Sequence, residues 1–357
     1  MVKILHAADF HLDSPFAALS PERARQRRAE SRELPGRLVD YANDHGAQLL
    51  LLSGDLFDGD EPYSQTAELL AQALGRFHGQ TVIAPGNHDP YTSRSPYQSV
   101  LWPENVHIFR EDRLEKFEFS QYGCTVWGAA FTASDSGELT MSAGFAAGEG
   151  VQLLALHGDV AAPHSPYRPV SVAALENSGL DYAALGHVHS CSGVRHAGGT
   201  AYAYPGCPEG RGFDETDDKG FLFGSVGKGT ADMTFVPFAR RRYRKITADI
   251  TDRDPEEAAA QALSGCEQDI VRLRLTGEGR AETGELPQRL AALAWQLEVR
   301  DETRQTEDIW SHCGEDSLRG LFLADLRETY EKSDEAGKAA VEQAARFGLA
   351  AMDNREL

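Results

Sequence analysis

Val2-Lys3-Ile4-Leu5-His6-Ala7-Ala8-Asp9-Phe10-His11 opens the chain as an apolar run that ends abruptly in Asp-x-His. Reading Val2 to Ala8 as a buried strand puts Asp9 and His11 on the loop leaving its carboxyl end. The same arrangement recurs four times. Gly54-Asp55-Leu56-Phe57-Asp58 follows Leu49 to Ser53, Gly86-Asn87-His88-Asp89 follows Thr81 to Ala84, His157-Gly158-Asp159 follows Val151 to Leu156, and Gly186-His187-Val188-His189 follows Tyr182 to Leu185. Open α/β sheets bind ligands in the crevice outside the carboxyl ends of their strands, so five such loops can converge on one point. Asp, Asn and His converging there make a metal site.

Between these signatures the first ninety residues alternate β and α, as a layered α/β fold requires. A helical pattern runs from Pro21 to His45, with Pro35-Gly36 expected to break or kink it, and a second from Pro62 to His78. Further on, Val106 to Phe109, Leu114 to Phe119 and Thr125 to Ala129 read as short strands. So do Thr200 to Tyr204, Gly220 to Val226, Met233 to Phe238 and Tyr243 to Ile250. Two mixed sheets with outer helices fit this better than one doubly wound sheet. Ile246 to Ile250, Pro255 to Leu263, Ile270 to Leu275, Leu286 to Leu297 and Glu298 to Arg300 then read as βαβαβ, a small second domain. From Ser317 the chain turns helical, and Leu318, Leu321, Phe322, Leu326, Val341, Ala344, Phe347 and Leu349 form a stripe that is either core or a surface for a partner helix. The boundaries expected are 1–240, 241–310 and 311–357.

With 357 residues, one large domain and a smaller one are the natural division. No apolar run approaches the roughly 20 residues of a membrane span. The start shows no cleavage pattern, so a cytoplasmic protein is expected. Five cysteines, odd in number and never spaced Cys-x-x-Cys, suggest neither a disulfide framework nor a zinc knuckle.

The formal net charge of -20 is unpromising for a protein that must hold a long polyanion through its own surface. Either the substrate is small, or basic residues are locally grouped, or a partner supplies the grip. Two basic groupings stand out. Arg23, Arg25, Arg27, Arg28 and Arg32 lie in the first helical pattern, either on a solvated face balanced by Glu22, Glu30 and Glu33 or as a phosphate-contacting helix. Arg240-Arg241-Arg242-Tyr243-Arg244-Lys245 is the strongest cluster, and Arg240, Arg241 and Arg242, with Arg211, are the candidate nucleic-acid contacts.

Carboxylate, amide oxygen and imidazole donors suit Mn²⁺, with Fe²⁺ or Mg²⁺ as alternatives, better than a thiolate-bound zinc. Asp9 and His11 can chelate one ion, and His187 and His189, with the same spacing, can each reach a different one. Asp55, directly after a glycine, can approach closely enough to bridge both. Asn87 adds an uncharged oxygen and His157 completes the set. Two divalent ions about 3.5 to 4 Å apart lower the pKa of a shared water and clamp both oxygens of a phosphoryl displacement. His88 follows a ligand without being needed as one, which leaves it to act as general acid, with Asp58 expected to accept its other ring N–H.

Together these residues resemble the calcineurin-like metallophosphoesterase superfamily from Asp9 to His189. His6-Ala7-Ala8-Asp9-Phe10-His11-Leu12-Asp13, Gly54 to Asp58 and Tyr204-Pro205-Gly206 resemble its DNA-repair exonuclease branch, of the SbcD and YhaO type. The stretch Pro205 to Arg211, with Glu215 and Lys219-Gly220, is closer to YhaO. The resemblance implies a four-layer αββα sandwich, two Mn²⁺ ions, phosphodiester hydrolysis in DNA, a small α+β capping domain, and a helical tail that binds an SMC-like coiled-coil ATPase of the SbcC or YhaN type; a homodimer is also open. Asp58 stands where many break-repair relatives carry His, and Cys207 where Ser or Asn is common. Two other readings compete: a phosphodiesterase or phosphatase for small nucleotides, which the acidic composition favours, and a noncatalytic scaffold that keeps the fold.

Overall fold

The computed structural model describes residues 1–59, 62–160, 162–279, 285–304 and 309–352. Parts of the expected capping segment (280–284 and 305–308) and the last five residues of the expected helical tail lie outside the described residues. Strand β1 (Val2–Ala7) leads to helix α1 (Pro21–Asp44), β2 (Leu49–Leu52), α2 (Ser64–Gly75), β3 (Gln80–Ile83), α3 (Pro96–Ser99) and β4 (Val106–Ile108). Next come β5 (Glu115–Phe119), β6 (Cys124–Gly128), β7 (Val151–His157), the short pair β8 (Asp159–Val160) and β9 (Pro169–Val170), α4 (Val172–Glu176), β10 (Tyr182–Gly186), β11 (Arg195–Ala197) and β12 (Thr200–Ala203). The hairpin β13 (Gly220–Gly227) and β14 (Thr230–Pro237) is followed by β15 (Tyr243–Asp249), α5 (Pro255–Ala262), β16 (Ile270–Thr276), α6 (Leu286–Arg289), β17 (Gln296–Asp301), α7 (Leu318–Glu331) and α8 (Glu335–Met352).

Two six-stranded sheets carry the site. Their orders are β14-β13-β1-β2-β3-β4 and β11-β12-β10-β7-β6-β5, with parallel pairing through β1-β2-β3-β4 and through β12-β10-β7-β6. The alternation of side chains explains the layering. In β1 and β2, Ile4, Leu49 and Leu51 point toward Leu153, Ala155, Tyr182 and Ala184 of the second sheet. Their neighbours Leu5, Leu50 and Leu52 point the other way, onto Leu34 and Leu38 of α1 and Leu70 and Leu74 of α2. On the far face of the second sheet, Leu154, Leu156 and Ala183 meet Leu175 of α4 and the flanking Leu139 and Leu180. The result is the four-layer αββα sandwich, with a thin outer layer on that side.

Helix α1 runs through Pro35 without interruption, against the expected break. A proline inside a helix costs about 3 kcal/mol. Burying Leu34, Leu38, Val39 and Ala42 against the sheet outweighs that. The helix expected over Leu286 to Leu297 is only α6 and a single 3₁₀ turn at Ala291–Leu293. Its end is drawn off into β17, because the Trp295 and Gln296 N–H groups bond the Asp269 carbonyl.

The chain divides into two compact units, one of Met1–Lys245, Gly265–Arg272 and Leu293–Leu297, the other of Ile246–Ser264, Leu273–Ala292 and Glu298–Leu357. Strands β15, β16 and β17 form a three-stranded sheet in that order. In the second unit Ile309, Leu323 and Ala345 are buried with Phe322, Leu326 and Leu349 against them, so part of the apolar stripe is core. Leu318, Leu321 and Phe347 of the same stripe remain exposed.

Candidate metal centre

All five expected loops leave the carboxyl ends of parallel strands, those after β1, β2 and β3 in one sheet and after β7 and β10 in the other. The β1–β2 ladder does not stop with the strands. Asp9 N–H bonds the Gly54 carbonyl (3.0 Å), His11 N–H that of Asp55 (2.9 Å), and Leu12 N–H that of Leu56 (2.9 Å). This continued register brings Asp9 and His11 beside Asp55. It also holds Asp9, His11 and Asp55 at positive φ (57°, 44° and 50°), a left-handed conformation that costs non-glycine residues about 1–3 kcal/mol each and clusters at functional sites.

The two sheets are locked together at the same end. Ser53 Oγ–H donates to the Ala184 carbonyl (2.9 Å), and His157 Nδ1 meets the Ser53 carbonyl (2.9 Å). Gly186 has to be glycine there, since a Cβ would stand 1.8 Å from the Ser53 carbonyl oxygen.

Among the described residues the donors form three overlapping groups, two of which share Asp9. Ligand atoms of Asp9, His11 and His189 lie within 4.8 Å of one another, as do those of Asp9, Asp55 and His157. Asp55 Oδ2 stands between them, 3.7 Å from His11 Nε2 and 3.4 Å from His157 Nε2. Asn87 Oδ1 is 3.0 Å from His157 Nε2, and the His11 and His189 Nε2 atoms face each other at 3.2 Å. His187 sits beside the second group with its ring edge-on to His157, 5.4 Å between centroids, while its backbone N–H donates to Asp9 (3.1 Å). Its Nε2 lies 3.9 Å from Asp159, a carboxylate to which the sequence alone gives no role.

Electrostatics suit cations. Burial pushes the Asp9 carboxyl up to about 8, with the Asp55 charge adding to it and His189 opposing. For Asp55, burial is outweighed by His157, His11 and His88, and its pKa falls. Burial lowers His157 to about 4 and also lowers His11 and His187, keeping these imidazoles neutral, the state that binds a metal. Crowded buried carboxylate oxygens, one amide oxygen and neutral imidazoles fit a pair of divalent ions. When bound, these supply charge neutralisation and Lewis-acid polarisation of a phosphoryl group.

Asp58 Oδ1 accepts from His11 Nδ1 (3.1 Å) and from Arg211 (3.0 Å), which orients His11, and a ring nitrogen of His88 lies within 4.8 Å of the same pair. The reason is the strand register, in which Asp58 N–H bonds the Leu12 carbonyl (3.0 Å) and sets the carboxylate opposite the β1 loop. His189 has an equivalent carboxylate in Glu215, whose Oε1 meets its Nδ1 at 2.7 Å. Burial of Glu215 is overcome by His189 and Arg211, which hold its pKa down at about 2. Arg211, only partly buried, spans the two carboxylates. His88 is exposed, its backbone N–H bonded to Asp55 Oδ1 (2.9 Å) and its ring edge-on to His11.

Asp89 closes the Gly-Asn-His-Asp signature, and the sequence alone gives it no role. Fully buried, it accepts from the N–H groups of Gly86, Asp55, Leu56 and Phe57 and from the Tyr97 hydroxyl (2.6 Å), tying the second loop to the third. A carboxylate three residues after the loop's single glycine, Gly86, was the available signal.

The basic cluster is corrected by the structure. Arg241 is buried, its guanidinium paired with Glu30 (2.6 Å) and lying 4.1 Å from the Trp295 ring, which removes it as a DNA contact. Arg240 and Arg242 reach solvent, each beside a carboxylate, Glu33 (2.8 Å) and Asp269 (3.0 Å). Likewise Arg27 of the Arg-rich helix is buried between Glu30 and Glu209 rather than solvated. In so acidic a chain the arginines find internal partners.

Residues 2–191 match the calcineurin-like phosphoesterase family. The chain is 30% identical to the uncharacterized metallophosphoesterase YhaO of Bacillus subtilis (strain 168), across 92% of this chain and 87% of that protein. It is 31% identical to the SbcD component of nuclease SbcCD from Rhodobacter capsulatus, across 30% of this chain and 26% of that one. With the DNA double-strand break repair protein Mre11 of Saccharolobus solfataricus the identity is 24%, across 77% of this chain and 70% of the relative. The family match takes in more than half the chain and every strand that delivers a donor, so this chain belongs to the calcineurin-like phosphoesterase family and is a metal-dependent phosphoester hydrolase.

Proposed function

We propose that the protein is a Mn²⁺-dependent DNA nuclease subunit that hydrolyses phosphodiester bonds exonucleolytically in repair, together with an SMC-like coiled-coil ATPase. The observation carrying this reading is the place of Asp55 Oδ2, 3.7 Å from His11 and 3.4 Å from His157, which suits a carboxylate shared by two ions. Relatives named as a nuclease component and as break repair proteins support DNA as the substrate. Asp9, His11, Asp55, Asn87, His157, His187 and His189 hold the ions. Asp58 and Glu215 orient His11 and His189, and His88, exposed beside them, protonates the departing oxygen. Arg211 is the basic group nearest the reacting phosphate. The net charge of -20 leaves most of the grip on a long duplex to the partner.

The acidic composition favours a second substrate, a small nucleotide diester. One assay separates the two: Mn²⁺-dependent release from end-labelled DNA, run beside cyclic nucleotides and bis-p-nitrophenyl phosphate, with and without a coiled-coil ATPase. DNA degradation stimulated by the ATPase is expected. Turnover confined to the small diesters would overturn the nuclease reading.

A further inference from the structure

The stretch from Pro205 to Lys219 joins β12 to β13 without forming a helix or strand, yet it is fastened at both ends. Cys207, Glu209, Glu215 and Lys219 are all buried. Gly206, at a φ of 78°, lets the chain pass close beneath the loop after β10, where a Cβ would stand 2.9 Å from the His189 carbonyl oxygen. That carbonyl accepts from Cys207 N–H (3.2 Å) and from Lys219 Nζ (2.6 Å). Glu209 makes a second anchor, accepting from Arg27 (3.1 Å), from Arg37 (3.1 Å) and from Arg240 N–H (2.9 Å).

Between Glu209 and Lys219, Arg211 closes a ring of polar contacts. Its Nη1 donates to Asp58 Oδ1 (3.0 Å), the atom that also accepts from His11 Nδ1. Its Nη2 lies 3.4 Å from Glu215 Oε1, the atom that accepts from His189 Nδ1, and its backbone N–H donates to Glu215 Oε2 (2.7 Å). The Nε2 atoms of His11 and His189 complete the ring, 3.2 Å apart. One guanidinium thus reaches the supports of both imidazoles. His157 is supported differently, its Nδ1 meeting the uncharged Ser53 carbonyl.

We propose that Arg211 is a positioning residue for the metal centre: by holding Asp58 and Glu215 together it fixes His11 and His189 relative to each other, so that one ion meets both at once. The buried anchors on either side of it serve to aim the guanidinium. The proposal rests on the ligand assignment made above and is independent of which phosphoester is cleaved. A site built in advance spares the entropy of ordering four side chains when the ion arrives. The planar fork of an arginine can hold two carboxylates in a fixed geometry, which the point charge of a lysine cannot.

Mn²⁺ binding to the whole chain, followed by calorimetry, tests this without turnover. Arg211→Gln is expected to weaken one class of site by about 10–100-fold, the usual effect of removing support behind a ligand, and to leave the other class unchanged. Arg211→Lys should recover little of the loss. In a chain already carrying Asp58→Asn and Glu215→Gln, Arg211→Gln should weaken Mn²⁺ no further, because the groups it acts through are gone. Equal weakening of both classes, full recovery by lysine, or an undiminished loss in the Asp58→Asn, Glu215→Gln background would each overturn the proposal. So would unchanged Mn²⁺ affinity with a KM that stays raised at saturating Mn²⁺, which would make Arg211 a contact of the substrate phosphate. Wild type that binds no Mn²⁺ sinks the ligand assignment and this proposal together. The expected affinity pattern in a protein that cleaves no DNA sinks the nuclease reading alone.

Discussion

His88 donates its backbone N–H to Asp55 but keeps its ring exposed, and that combination would separate metal binding from proton transfer. His88→Gln is expected to lower turnover by about 10²–10⁴-fold, the usual contribution of a general acid. Metal affinity, followed by calorimetry with Mn²⁺, should hold; loss of an equivalent of metal would make His88 a ligand instead. The candidate donors could be named from the sequence because chemistry restricts which side chains can serve, and Asp-x-His or His-x-His after an apolar run has few other uses. The partners of those donors were not. Whether Asp58 reaches His88 or His11 depends on a pairing register between strands that no local pattern records.

Helix α1 shows how an element can be read correctly and its purpose misjudged. Its arginines suggested a charged face, yet Arg27 and, from 211 residues further along the chain, Arg241 are buried on Glu30. Burial raises the pKa of Glu30, but the hydrogen bonds from Arg241 and Arg27 prevail and hold it below the ordinary carboxylate range. A depressed folded pKa means that the pairing stabilises fully above the unfolded value and is lost as the pH falls below it. Glu30→Gln is therefore expected to cost about 2–4 kcal/mol at neutral pH, since it strands buried charge. It should also flatten the decline in stability below about pH 4.5, where an unfolded glutamate protonates. Urea unfolding across that range checks both, and an unchanged acid slope would place the pH dependence elsewhere.

For the molecule as a whole, the centre is a repulsive cluster that divalent cations would turn into a clamp between sheets. Asp9, Asp55 and Asp89 are all buried within it, and its loops come from strands on both sides of the core. Mn²⁺ at about a hundredfold over its Kd should stabilise by about 2.7 kcal/mol per site. Melting should then rise by about 5–10 °C for each site filled, in a unit of this size. Chelation should reverse the shift, and Asp55→Asn should reduce it sharply. A Tm indifferent to Mn²⁺ would deny the loops their role as ligands.

Local sequence order carried two mixed sheets with outer helices, the strand-end signatures and the oxygen-and-nitrogen donor chemistry, because each is written as apolar period, glycine, then a polar residue; the four-layer αββα sandwich came from the family resemblance. Only the tertiary structure decided that Asp58 bonds His11 and Glu215 bonds His189, that Arg241 is an internal ion pair, and that a cavity without Lys or Arg among its described lining residues adjoins His88. Those facts depend on which sheet edges meet and in what register. Register is set by the summed burial of two facing sheets, a quantity that no short stretch of chain contains.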